Sequence, residues 1–265
     1  MTAPRRIAFI NEKGGTCKTT LAVNTAAWLA FKREKRVLLV DLDTQGHAGK
    51  SLGIDVRSVS PTTFDWLTRD DVRLSDVARA TATPGLSVVP SYKQLAELPQ
   101  ALSGDPQRAR RLARKLEVPE AEGYDYIVFD APPSLGLVTT NILVAATEVV
   151  IPVAVTYLSL DGCAEMVQTV EQVTTEHARP DLHVSLVVPT LYRKTALADE
   201  ILEKLQEYFP GKCAAPVPMN VAIDEAQSHG KTIWEYAPWS RGATLLQAVA
   251  ERVERVGKLQ ARKSA

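Results

Sequence analysis

Lys13-Gly14-Gly15-Thr16-Cys17-Lys18-Thr19-Thr20 lies between an apolar run, Arg6-Ile7-Ala8-Phe9-Ile10, and a stretch with helical character, Leu21-Ala22-Val23-Asn24-Thr25-Ala26-Ala27-Trp28-Leu29. Strand, glycine loop and helix, in that order, is the context a phosphate-binding loop requires. Successive backbone N–H groups and the helix N-terminus then converge on one anion. Lys18 adds a point charge suited to β- and γ-phosphates, the Thr19 hydroxyl suits Mg²⁺, and Thr20 suits an α-phosphate. The ordinary loop has one lysine. This one carries a second, Lys13, at its start.

Working outward, apolar runs recur at Ile7–Ile10, Val37–Val40, Leu86–Val89, Tyr126–Phe129, Val149–Val155 and Val184–Val188, with helical stretches between most of them. Strands that are nearly all apolar are expected where helices cover both faces of a sheet. Their alternation with helices predicts an α/β fold, a doubly wound and mostly parallel sheet with right-handed crossovers. Ligands of such sheets sit at the carboxyl ends of the strands. The glycine loop, Asp43 and Asp130 each fall just after an apolar run, so three motifs converge on one edge. The segment from Ser60 to Glu122, punctuated by prolines, reads as an irregular elaboration of the same unit. Ala196 to Phe209 and Ser240 to Leu259 read as helices. Residues 1–265 are expected to form one domain.

The two-lysine loop resembles the deviant Walker A motif of the ParA/MinD family of ATPases. The likeness extends to Val37-Leu38-Leu39-Val40-Asp41-Leu42-Asp43-Thr44-Gln45-Gly46, to Tyr126-Ile127-Val128-Phe129-Asp130-Ala131-Pro132-Pro133-Ser134, and to Pro218-Met219-Asn220-Val221. The motifs keep the family's order and spacing, and the branch they look most like is the short, chromosomal-type, Soj-like ParA. The resemblance implies a P-loop ATPase that uses ATP and Mg²⁺. It implies that Gly14, Gly15, Thr16, Cys17, Lys18, Thr19 and Thr20 cradle the phosphates and that Asp130 is the Walker B carboxylate, holding Mg²⁺ through water. Asp43 would sit beside the metal and orient the attacking water, with Asp41 as a metal-side or structural partner. Lys13 would reach across a face-to-face homodimer to the partner's phosphates. Met219 and Asn220 would recognise adenine, and Asn24 would support the loop. Cys17 stands where the family usually has Gly, which puts a Cβ at a position of restricted backbone if φ is positive.

Lys+Arg and Asp+Glu number 31 each, so any nucleic-acid contact must come from local patches and not from net charge. The family resemblance implies non-specific DNA binding by basic residues on the dimer surface, and the carriers expected here are Arg193, Lys194, Lys231, Arg241, Arg255 and Lys258. Arg108, Arg110, Arg111, Arg114 and Lys115 form a second basic stretch, while Arg262 shares the helix face of Arg255 and Lys258, with Arg252 at its edge. Met219 and Ala222 occupy places where Soj-like proteins carry arginines. Gly257 is expected to break the last helix.

Three widely spaced cysteines argue against a disulfide framework, and the four histidines have no metal spacing. With no signal-peptide pattern and no apolar run near the ~20 residues of a membrane span, a cytoplasmic protein is expected, associated with the nucleoid and not stably inserted in a membrane. The function implied is an ATP-dependent DNA-bound dimer that positions or segregates a cargo, its hydrolysis stimulated by a ParB-like or other adaptor. The alternative is a MinD-like, membrane-cycling regulator of division, which would require bulky apolar anchors in the C-terminal helix.

Overall fold

The computed structural model describes residues 3–156 and 159–261, apart from the side chains of residues 159 and 258–261. Eight strands form one sheet: β1 (Arg5–Phe9), β2 (Val37–Asp41), β3 (Arg79–Ala80), β4 (Leu86–Val89), β5 (Tyr126–Asp130), β6 (Glu148–Ala154), β7 (His183–Tyr192) and β8 (Val217–Pro218). Their spatial order is β3-β4-β2-β5-β1-β6-β7-β8, and every pairing is parallel except β3 with β4. The fold is therefore the expected doubly wound α/β sheet. All six expected strands are present. The two additional ones, β3 and β8, are two residues long and extend the sheet edges.

Side-chain alternation along the strands builds two cores. Ala8, Leu38, Val40, Ile127 and Phe129 face one layer, together with Trp66, Leu98, Leu112 and Ile142 from covering helices. Ile7, Phe9, Val37, Leu39 and Val128 face the other, against helix Lys18–Arg33 and helix Arg241–Ala261. Each Leu, Ile or Phe taken fully out of water contributes about 1.5–3 kcal/mol, so strands buried on both faces anchor the loops at their tips. The Ser60–Glu122 segment holds short helices, including Thr63–Thr68, Leu98–Ala101 and Arg111–Lys115, whose apolar residues close the first core.

The last helix runs through Gly257 to Ala261 and does not break there. The Arg5 guanidinium occupies the space a Cβ at Gly257 would need. Arg5 donates to the carbonyl of Val253 (3.0 Å) and is paired in fork geometry with Glu148 at 2.7 Å on both arms. The glycine therefore permits a half-buried arginine to bind the helix to the sheet. Helix propensity alone could not reveal that.

The register sets up the site. β1 lies between β5 and β6, with Phe9 opposite Asp130, and β5 pairs with β2 so that Asp41 is opposite Asp130. The glycine loop leaves β1 at the carboxyl edge that also presents these carboxylates.

Candidate nucleotide site

Helix Lys18–Arg33 begins without a side-chain cap. Its first-turn N–H groups are the ones a helix leaves without intrahelical partners, and the preceding loop curls over them. Gly15 has φ 71° with no atom within 4 Å of an added Cβ, so glycine is needed there for conformation and not for space. Cys17 has φ 64° and ψ 27°, in the left-handed region. That is the conformation in which a Cβ costs about 1–2 kcal/mol. The Cys17 thiol is raised above its ordinary range, chiefly by burial, so it stays protonated and does not read as a reactive thiolate. Cys17→Gly is expected to stabilise the fold by about 0.5–1 kcal/mol, the relieved strain exceeding glycine's extra unfolded-state entropy. A melting curve checks this: the midpoint should rise by roughly 2 °C, and a fall would contradict it.

Two residues not singled out in the sequence shape the loop. Asn11, buried, accepts from the Lys13 N–H (2.9 Å) and donates to the Pro152 carbonyl (2.7 Å). Thr190, at the end of β7, donates its hydroxyl proton to the Thr16 carbonyl (3.2 Å). The loop is thus held from β6 and β7 as well as from its own strand. Asn11 stands two residues before Lys13, the spacing of a local Asx turn. Thr190 gives no local signal.

Lys18 is buried, and its ammonium donates to the Lys13 carbonyl at 3.1 Å. Burial lowers its proton affinity, while nearby Asp130 and Asp43 raise it. The Lys13 ammonium is held at the exposed mouth, donating to the Thr156 hydroxyl at 3.3 Å. Lys18, Thr19, Thr20 and Asp43 line one cleft of about 560 Å³, closed on its far side by Gln45, Lys50 and Gln227. Gln227 donates to the Thr20 hydroxyl at 2.8 Å.

The three carboxylates differ. Asp41, fully buried, accepts from the N–H groups of Asp43 and Gly49, both at 3.1 Å, and burial pushes its pKa up to about 7. Its two oxygens are engaged in fixing the turn that carries Asp43. Asp43 accepts from the Gln45 N–H at 2.9 Å and faces the cleft. Asp130 is fully buried with neither carboxylate oxygen hydrogen-bonded. Burial first, and then the Asp41 charge, raise its protonation well above the usual carboxylate range, against the pull of Thr19 and Lys18. A buried carboxylate without partners calls for an explanation such as a cation. Beside a hydroxyl, Asp130 offers the oxygen donors that suit Mg²⁺. Among the described residues, no group of three or more His, Cys, Asp or Glu stands in metal-holding geometry.

On the other flank, Met219, Asn220, Cys17, Thr20 and Leu21 line a smaller cleft of about 50 Å³. The Asn220 side-chain oxygen is buried without a partner, and its close neighbour is the backbone of Gly242, where an added Cβ would come within 2.7 Å. An acceptor so placed suits an amino donor. Asn24 does not face either cleft. It accepts from the Ile233 N–H (2.9 Å), and its carbonyl accepts from the Trp234 indole (3.1 Å).

The basic residues do not form one patch. Arg193, Lys194 and Arg241 are exposed, and Arg193 touches Met219, placing it beside the smaller cleft. Lys231 is exposed next to Gly230, which packs on Gly53 at the rim of the larger cleft. Arg255, exposed, lies about 21 Å further along the same helix than Arg241. The Lys258 side chain and Arg262 lie outside the described residues. The second basic stretch is reduced: Arg111 is buried, donating to the Leu67 carbonyl (2.6 Å) and paired with Asp70, and Lys115 donates to the carbonyls of Arg69 and Val72.

A glycine loop between β1 and an uncapped helix, with carboxylates at the tips of neighbouring parallel strands, defines a P-loop nucleotide-binding protein. A family model described as an AAA domain matches residues 4–184. The sporulation initiation inhibitor protein Soj of Bacillus subtilis is 42% identical over 93% of this chain and 97% of that protein. The chromosome partitioning protein ParA of Myxococcus xanthus is 37% identical over 91% of this chain and 84% of that one. Among solved structures, cobyrinic acid a,c-diamide synthase from Mycobacterium smegmatis, with bound ADP and magnesium, superposes with a TM-score of 0.81 at 29% identity, covering 96% of each chain. The chain belongs to the ParA/MinD family, on its Soj-like branch, and is a ParA-type ATPase. No helix among the described residues is long and apolar enough to cross a membrane.

Proposed function

We propose that this chain is an ATP-switched positioning protein: a single ATPase domain that closes into a sandwich dimer on ATP, holds DNA without sequence preference, and releases it when an adaptor stimulates hydrolysis. The observation that carries the reading is the convergence of Lys13, Lys18, Asp43 and the unpartnered Asp130 carboxylate on one edge with the uncapped helix start. Loop N–H groups from Gly14 to Thr20 and the Lys18 ammonium bind and orient the triphosphate. Thr19, Asp43 and Asp130 would hold Mg²⁺, which when bound neutralises developing charge on the phosphates. Asp43, its turn pinned by Asp41, orients water for attack. Asn220 accepts from the adenine amino group beside Met219.

Lys13 is exposed at the cleft mouth, where it can reach a second copy and add a cation to that copy's phosphates. Lys13→Ala is expected to remain monomeric in Mg–ATP by light scattering, and a stable ATP dimer of that variant would contradict the trans contact. The cytoplasm and the nucleoid surface are the setting this reading requires. The names of the Soj and ParA relatives, which specify chromosome partitioning, support chromosome segregation as the class of task.

DNA contact is assigned to Arg193, Lys194, Lys231, Arg241, Arg255 and Lys258, doubled by dimerisation. Affinity should require ATP, be indifferent to sequence, and fall steeply with salt because counterions are released. A gel-shift salt series on random duplex checks this. Joint charge reversal at Arg193, Lys194 and Arg241 should weaken binding equally on all sequences while ATP affinity holds.

A further inference from the structure

Helix Val221–Ser228 runs from one nucleotide cleft to the other. Asn220, its N-cap, and Asp224, one turn on, line the smaller cleft, and Gln227 at its far end lines the larger one. Residues 220, 224 and 227 are four and three apart, so they share one face of the helix. The helix rises about 10 Å between Asn220 and Gln227.

Thr20 stands opposite this face and, with Cys17, lines both clefts. It is the third residue of helix Lys18–Arg33, in the first turn that meets the phosphates. Both Thr20 and Gln227 are half-buried. The Gln227 amide donates to the Thr20 hydroxyl oxygen at 2.8 Å, the one hydrogen bond of that hydroxyl among the described residues. A hydroxyl accepts on its lone pairs and donates one proton. With a donor already seated on the oxygen, the proton turns away from the amide and is left for a ligand.

Docking of helix Val221–Ser228 does not need this bond. Ile223 and Ala226 are buried in the second core. Beyond the helix, the Lys231 N–H donates to the Ala226 carbonyl at 3.0 Å and Gly230 packs on Gly53.

We propose that Gln227 is a positioning residue for the nucleotide: it aims the Thr20 hydroxyl proton at the α-phosphate, and so ties the phosphate end of the nucleotide to the helix that carries Asn220 at the adenine end. The proposal rests on the ATP-site reading above. The α-phosphate is common to ATP and ADP and takes no part in the attack on the γ-phosphate. Gln227 therefore sets affinity and not the rate of the chemical step.

A carboxylate of the same shape separates aiming from packing. Ionised Glu only accepts, so at position 227 it would draw the Thr20 proton to itself and set a negative charge beside the phosphates. The test is calorimetry on the full chain with ADP and with a slowly hydrolysed ATP analogue in Mg²⁺, alongside steady-state turnover and a melting curve. Gln227→Ala should lose about three- to tenfold in affinity, equally for both nucleotides. Its KM should rise while kcat and the melting midpoint hold. Gln227→Glu should melt like the wild type yet bind about fivefold more weakly again than Gln227→Ala. In a Thr20→Val background, Gln227→Ala should add nothing. Wild-type affinity in either Gln227 variant overturns the proposal. So does a full additional loss in the Thr20→Val background, which would make Gln227 a pin for the fold alone. Lys18→Ala separates the two levels. If it loses affinity while the Gln227 variants keep theirs, the proposal alone fails; if it also binds like the wild type, the phosphate site itself is wrongly placed.

Discussion

Lys18→Ala is expected to lower ATP affinity by at least about a hundredfold, read by calorimetry in Mg²⁺. The Lys18 ammonium is already buried and seated on the Lys13 carbonyl before nucleotide arrives. Much of its desolvation is already present in the free protein, so a phosphate gains most of the attraction. At an effective dielectric near 20, a unit charge about 4 Å from another is worth roughly 4 kcal/mol. A hundredfold in affinity corresponds to about 2.8 kcal/mol, roughly two-thirds of that. The fold should survive, because truncation also relieves the burial that lowers the lysine's proton affinity. A melting curve separates lost binding from lost folding. Unchanged affinity in a folded variant would remove Lys18 from the phosphate site.

Asp43→Ala should do the opposite to the two halves of the cycle. ATP affinity should stay within about threefold, since the loop N–H groups and Lys18 are untouched, while turnover should fall by about 10²–10⁴, the range for losing a positioned proton acceptor. The reason lies in the local geometry. The Asp43 N–H donates to Asp41, and Asp43 accepts from the Gln45 N–H, so its carboxylate is held in a fixed orientation towards the cleft. With hydrolysis slowed, the ATP dimer should persist long enough to isolate. Phosphate-release kinetics check the rate, and wild-type turnover in this variant would refute the role.

The sheet was legible because strands buried on both faces are apolar throughout, and the six long runs announced themselves. β3 and β8 were not, because two residues cannot display a period; their edge positions are set by tertiary pairing. The phosphate loop was readable as a contiguous motif, including the doubt over Cys17, whose φ of 64° realises the restricted backbone. Its supports were not. Thr190 is 174 residues from the carbonyl it holds, and Gln227 is 207 residues from the hydroxyl it binds. Charge patterning misled where arginine and lysine served the fold: Arg111 and Lys115 read as a basic surface but donate to carbonyls under the first core. Gly257 read as a helix breaker because its partner, Arg5, lies at the other end of the chain. Contacts between residues distant in sequence are the common element in what escaped a linear reading.

If ATP switches this chain between a free and a dimeric state, its solution mass should change with the nucleotide. The measurement that tests it most directly is solution mass by multi-angle light scattering, on the wild type and on Asp43→Ala, with Mg–ATP and with Mg–ADP. A monomer is expected with ADP in both, and twice the monomer mass with ATP, most persistently in Asp43→Ala. A monomer under all four conditions, at concentrations where calorimetry shows the site filled with ATP, would contradict it.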